Sequence, residues 1–152
     1  MTPNKPRYTA LVLLPKDTES AIFQAEGYCM DFLGECPMVP PEDRNLGWAK
    51  IAHHMTICMG EIPTKFAHLL GDRVSIEIDG IGISDRVIAL RVKKDTIAGR
   101  LSVNEIPHIT IAVNHGEGAK PFESNAINNW YDISFDNPSD SIILNGIVTE
   151  VK

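Results

Sequence analysis

Strand-type segments recur along this chain and leave little room for any other dominant element. They are "YTALVLLP" (8–15), "HHMTICMG" (53–60), two runs within "RVSIEIDGIGISDRVIALRVKK" (73–94), "IPHITIAV" (106–113), "YDISFD" (131–136) and "SIILNGIVTEV" (141–151). Each is rich in β-branched or apolar residues and bounded by Gly, Pro, Asn or Asp, which is how strands and their turns read. The first is apolar throughout and ends at Pro15, so it is expected to be buried on both faces. In the central stretch Val74, Ile76 and Ile78 share one face, and Val87, Ala89 and Val92 form a second run, with Gly80 to Asp85 as the turn or bulge between them. Helical spacing is confined to fewer places. Residues 16–33 carry Ile22, Phe23, Tyr28 and Phe32, with Thr18 or Ser20 as a cap. "IPTKFAHLLG" (62–71) suits a short helix closed by Gly71. Residues 114–130 read as a Gly-rich loop leading to a short helix, capped by Ser124 or Asn125. "GECPMVPPEDRNLG" (34–47), with three prolines and two glycines, must be a long loop. The expected class is α+β.

A chain of 152 residues with no linker or low-complexity stretch is expected to form one domain over residues 1–152. No apolar run is long enough to span a bilayer, and the N-terminal "MTPNKPRYTALVLLP" does not read as a signal peptide, so no membrane partner and a cytoplasmic location are expected. Cys29, Cys36 and Cys58 are odd in number and form no CxxC pair, which argues for thiols rather than a disulfide framework or structural zinc. A net charge of −6 excludes the broad basic footprint needed to grip long nucleic acid. It permits a local pocket for one or two phosphates. "GIGISD" (80–85) lacks the third glycine and the setting of a dinucleotide fingerprint, and Pro138 blocks Asn137-Pro138-Ser139 as a glycosylation site.

Two of the strand segments carry the same polar pair. His54 and Thr56 in "HHMTICMG" match His108 and Thr110 in "PHITIAVN", each followed by Ile. Side chains alternate along a strand, so each His shares a face with its Thr while Met55 and Ile57, or Ile109 and Ile111, pack behind. If the two strands are neighbours, two imidazoles and two hydroxyls line one cleft. Such a cleft suits phosphoryl transfer without a metal or cofactor. One neutral His takes a proton from water or a sugar hydroxyl, and the other, protonated, gives one to the leaving oxygen. The threonine hydroxyls donate to the non-bridging oxygens. By the same alternation His53 is expected on the opposite face, hydrogen-bonded to a neighbouring backbone carbonyl, with a substrate contact as the competing role.

The paired motifs His54-Met55-Thr56 and His108-Ile109-Thr110, with "AHHMTICMGE", "GISDRVIALRV" and "IPHITIAVN…KPFESN" around them, resemble the 2H phosphoesterase superfamily over about residues 8 to 150. That superfamily includes LigT-like RNA 2′,3′-cyclic phosphodiesterases, the cyclic phosphodiesterase domains of tRNA ligases, and phage enzymes that destroy cyclic nucleotide signals. The resemblance implies two pseudo-symmetric lobes of antiparallel sheet with helices outside and a central cleft. It implies metal-free hydrolysis of a cyclic phosphate or related phosphodiester, with His54, Thr56, His108 and Thr110 as the catalytic residues. It does not say which histidine is acid and which is base.

Other residues are candidates for holding the substrate. Lys120 can neutralise a phosphate or simply be solvated, and Ser124 or Asn125 can donate to one at a helix N-terminus or serve as an ordinary cap. Asn114 shares the face of His108 and Thr110 provided the strand stays regular. Tyr8, Trp48 and Trp130 can stack on a base, with core packing as the competing role. His68 and His115 sit at no metal-ligand spacing with the other histidines, so no metal site is expected. The leading expectation is an enzyme acting on a 2′,3′-cyclic phosphate at an RNA end or on a small nucleotide. A viral or phage enzyme that degrades cyclic oligonucleotide messengers, and a nucleotide-binding module without turnover, are the alternatives. Oligomeric state is left open.

Overall fold

The computed structural model describes residues 5–37, 47–133 and 141–152. The Asn137-Pro138-Ser139 segment, the end of "YDISFD" and most of the Pro-rich 34–47 loop lie outside the described residues. Eight strands form one sheet: β1 (Tyr8–Leu13), β2 (Trp48–Lys50), β3 (His54–Met59), β4 (Arg73–Ile83), β5 (Val87–Val92), β6 (His108–Asn114), β7 (Trp130–Asp132) and β8 (Ile143–Val151). Six of them close a ring in the order β1-β3-β6-β5-β4-β8, every pairing antiparallel. Closure removes the exposed edges that an open sheet of such strands would carry. β2 adds to β6, and β7 adds to β4. The α+β class holds. The strands run as one continuous barrel, so the two lobes that the resemblance implied do not appear as separate sheets.

Helix α1 (Pro15–Leu33) starts on Pro15, with Leu14 at the cap position. Proline at the first helical position costs no hydrogen bond and presets the backbone, so neither Thr18 nor Ser20 is needed as a cap. Thr18 Oγ1 donates instead to the Ala52 carbonyl, 3.0 Å away. Ala21, Ala25 and Cys29 of α1 pack into the same core as Leu11, Met55, Ile57, Ile76, Ile88, Leu90, Ile109, Ile111 and Leu144, which point into the barrel. Each large aliphatic side chain buried this way contributes about 1.5–3 kcal/mol. Helix α2 (Ile97–Leu101), capped by Thr96, and strand β2 escaped the sequence pattern because five and three residues are too short to show a period. Cys29 and Cys58 are buried and Cys36 half-buried, with no disulfide among them.

The two motif strands share an irregularity. On β3, Thr9 faces Cys58 and Ala10 faces Thr56, so Ile57 is an extra residue. On β6, Ile88 faces Ala112 and Ala89 faces Thr110, so Ile111 is the extra residue. Both strands therefore bulge at the isoleucine that follows the motif threonine. A bulge shifts the alternation by one. Ile57 and Cys58, like Ile111 and Ala112, both join the barrel core. Met59 is turned outward, and Val113 packs in a separate cluster with Val87, Ala89, Ala119 and Ile127.

Candidate active site

β3 and β6 are neighbours, joined at Met55 and Ile109. Their outward faces meet over a cavity of about 460 Å³, lined by His54 and Thr56 from one strand and His108 and Thr110 from the other. The adjacency on which the paired-motif argument depended is therefore present. Tyr8 of β1 adds a wall and packs its ring 5.1 Å from that of His54. A 3-10 helix (Pro121–Ala126) forms the opposite wall, contributing Phe122, Ser124 and Asn125. Met59, Val103 and Phe122 are 76%, 67% and 71% exposed, so the rim is apolar and open. Among the described residues no Asp, Glu, Lys or Arg lines the cavity.

Ser124 is buried and stands between the two groups of the second motif. Its Oγ lies 2.9 Å from His108 Nε2, 2.8 Å from Thr110 Oγ1 and 2.8 Å from the Pro121 carbonyl. His108 Nδ1 faces the Ile106 carbonyl at 2.7 Å, and a carbonyl only accepts, so Nδ1 carries a hydrogen. Ser124 has one hydrogen to give. When it goes to Pro121, the contacts from His108 and Thr110 must both donate to Ser124, and His108 then carries hydrogens on both nitrogens. All four contacts are met together only when His108 is an imidazolium. In neutral His108, Ser124 must turn its hydrogen to Nε2 and give up Pro121. Burial pushes His108 below the ordinary imidazole range, and the bond to Ile106 opposes that shift.

His54 is also held low, at about 4, first by burial and then by the imidazoles of His53 and His108, each of which repels a proton on His54 when it is itself charged. It is neutral at pH 7, with a lone pair to offer. His53 lines the same cavity rather than the opposite face. It precedes β3, beyond the regular alternation, and follows Ala52, whose φ of 42° is left-handed. That kink carries the chain from β2 to β3 along one edge of β6 and swings His53 to the site, with its Nδ1 2.9 Å from His54 Nδ1.

The remaining candidates divide. Tyr8, Ser124 and Asn125 line the cavity. Lys120, Asn114 and Trp48 do not line it. Lys120 is the cap of the 3-10 helix, where its backbone N–H donates to the Glu123 carboxylate, so Ser124 and Asn125 lie inside that helix and are not its caps. The bulge at Ile111 gives Val113 the face on which regular alternation would have put Asn114, and Asn114 Nδ2 donates to the Asp85 carbonyl. Trp48 packs against the main core. Trp130, with its Nε1–H on the Ile127 carbonyl and its ring 6.2 Å from that of His108, supports the second cluster. Sequence reasoning put His53 on the opposite face and missed the apolar rim. The kink that brings in His53 has no sequence signature, since alanine rarely adopts a left-handed φ. Among the described residues no three His, Cys, Asp or Glu side chains are grouped to hold a metal ion, and no helix is long and apolar enough to cross a membrane.

The family model of the fungal tRNA ligase phosphodiesterase domain matches residues 41–145, which include both HxT strands and the 3-10 helix of Ser124. No curated protein matches the chain.

Proposed function

We propose a function from one premise: the chain belongs to the fungal tRNA ligase phosphodiesterase domain family, a 2H phosphoesterase-type family. Membership supports a hydrolase with cyclic phosphodiesterase activity in an RNA-repair-related domain. The finer reading is a metal-independent hydrolysis of a 2′,3′-cyclic phosphate at an RNA end or on a nucleotide. The observation that carries it is the meeting of His54 and His108, from two distant stretches of chain, over one cavity.

His54 is the base. Its neutral form takes a proton from the attacking water as the new P–O bond forms. His108 is the acid, giving its Nε2 proton to the 2′- or 3′-oxygen as the old P–O bond breaks. The product is a phosphomonoester, and the next proton exchange with solvent resets both rings. This assignment follows from the pull on His54 toward the neutral form and from the match between cationic His108 and its four-contact network. Thr56 supplies a hydroxyl donor for the non-bridging oxygens, and Thr110 adds a second when a phosphate oxygen takes the place of Ser124 as its acceptor.

Among the described residues no Lys or Arg lines the cavity, which supports a substrate with a single phosphodiester over a cyclic oligonucleotide messenger, which brings two or more. The test is a turnover assay in EDTA. One panel holds 2′,3′-cyclic mononucleotides and short RNAs with cyclic ends; the other holds cyclic di- and trinucleotides. Cleavage in the first panel is expected. Cleavage confined to the second would establish the messenger reading, and binding without cleavage in either would establish a non-catalytic module.

A further inference from the structure

We propose that His53 is a positioning residue that fixes the tautomer of His54 and so makes it a base. The inference rests on the functional reading above, and its observation is the contact between the two Nδ1 atoms at 2.9 Å. Two nitrogens at that distance share one hydrogen. There are two ways to place it.

In the first, His54 Nδ1–H donates to a bare His53 Nδ1. His54 Nε2 then holds a lone pair, and His53 carries its own hydrogen on Nε2. In the second, His53 donates, His54 Nδ1 accepts, and the His54 hydrogen sits on Nε2, where it blocks base catalysis. The two differ in what happens when His54 gains a proton. In the first, His54 becomes an imidazolium whose Nδ1–H still donates to neutral His53, so the contact survives and strengthens. In the second, two N–H groups would face each other and the contact would break. Only the first lets His54 cycle between neutral and charged forms without rearrangement. Exposure favours it as well. His53 is exposed, so its Nε2–H can be hydrated, whereas His54 is the more enclosed ring.

The backbone holds His53 for this task. The Ala52 carbonyl accepts from Thr18, the His53 carbonyl accepts from Leu13 N–H at 2.9 Å, and Ala52 N–H donates to the Thr110 carbonyl at 3.1 Å. The titratable groups that line the cavity with the pair are Tyr8 from β1 and His108 from β6, and among the described residues no carboxylate lines the wall to take the orienting role instead. His108 has its counterpart in the Ile106 carbonyl. One catalytic imidazole is thus oriented by backbone and the other by a second imidazole.

The test combines ¹⁵N NMR of the histidine rings at neutral pH with steady-state kinetics of wild type, His53→Ala and His53→Asn. The exposed position makes both variants compatible with folding, which circular dichroism checks. Wild-type His54 is expected as the Nδ1–H tautomer. His53→Ala should shift it toward Nε2–H and lower kcat about 10- to 100-fold, part of the 10²–10⁴-fold that acid–base catalysis supplies, with KM little changed. His53→Asn, whose side-chain oxygen accepts from Nδ1–H without titrating, should restore the tautomer and most of kcat. A wild-type His54 in the Nε2–H form, or the same His54 tautomer and kcat in His53→Ala as in wild type, would overturn the proposal. If wild type turns over no substrate, the functional reading fails by itself, and the ring spectra still decide the role of His53.

Discussion

His54 and His108 have the same side chain in the same motif, and their surroundings separate them. His54 is driven toward neutrality by burial and two neighbouring imidazoles, and His108 finds an acceptor for each of its N–H groups when charged. The signs give a pH profile. The base must be neutral, so activity is lost as pH falls through the His54 value of about 4. The acid must be charged, so activity is lost as pH rises through the His108 value, which lies below the ordinary 6.5. The expected rate profile is a bell with its optimum on the acid side of neutrality. A plateau that extends above pH 8 would contradict the assignment of His108 as acid. The motif residues themselves were legible, because an HxT pair on an apolar strand is a local pattern. The proposed roles were not, because they rest on Ile106, Ser124, Pro121 and His53, which only the fold brings to the two rings.

At the scale of elements, the 3-10 helix from Pro121 to Ala126 has to deliver Ser124 to both motif side chains. Arg86 of the β4–β5 turn helps hold it, with its Nε 2.6 Å from Glu123 Oε1. Beneath it, Gly82 of β4 leaves room for Ile127 and Trp130. A Cβ there would lie 2.7 Å from the Trp130 ring and 2.9 Å from Ile127. Gly82→Ala is therefore expected to destabilise the protein by about 1–3 kcal/mol in urea denaturation and to lower kcat as the Ser124 helix shifts. Unchanged stability would show that this packing is looser than the contacts imply. The strands were legible from alternation and their boundaries from Gly and Pro. The two bulges were not. "ITIAV" is apolar at every position but its threonine, so a shift in facing after Ile111 leaves no mark on the pattern. The condition set on Asn114, a regular strand, therefore fails without a sign in the sequence. The caps at Thr18 and Ser124 were misplaced for another reason. Pro15 and Pro121 each start a helix upstream of them, and the two hydroxyls are engaged elsewhere.

For the whole molecule, the central fact is closure. His54 and His108 lie in different halves of the sequence, and no local propensity brings them together. The ring β1-β3-β6-β5-β4-β8 does so by making β3 and β6 neighbours and turning both motif faces away from the barrel core. The sequence predicted the α+β class and made this adjacency a condition, but strand order depends on long-range pairing and could not be read from any one segment. If closure exists to assemble one acid–base pair, the two histidines must act in the same step. The measurement that tests this most directly is kcat on a 2′,3′-cyclic nucleotide for His54→Ala, His108→Ala and the double variant, each checked for folding. Each single variant is expected to lose about 10²–10⁴-fold, and the double variant to be scarcely worse than the weaker single, because groups that act as a unit are not additive. Either single variant retaining activity within a few-fold of wild type, or losses that multiply in the double, would contradict the account.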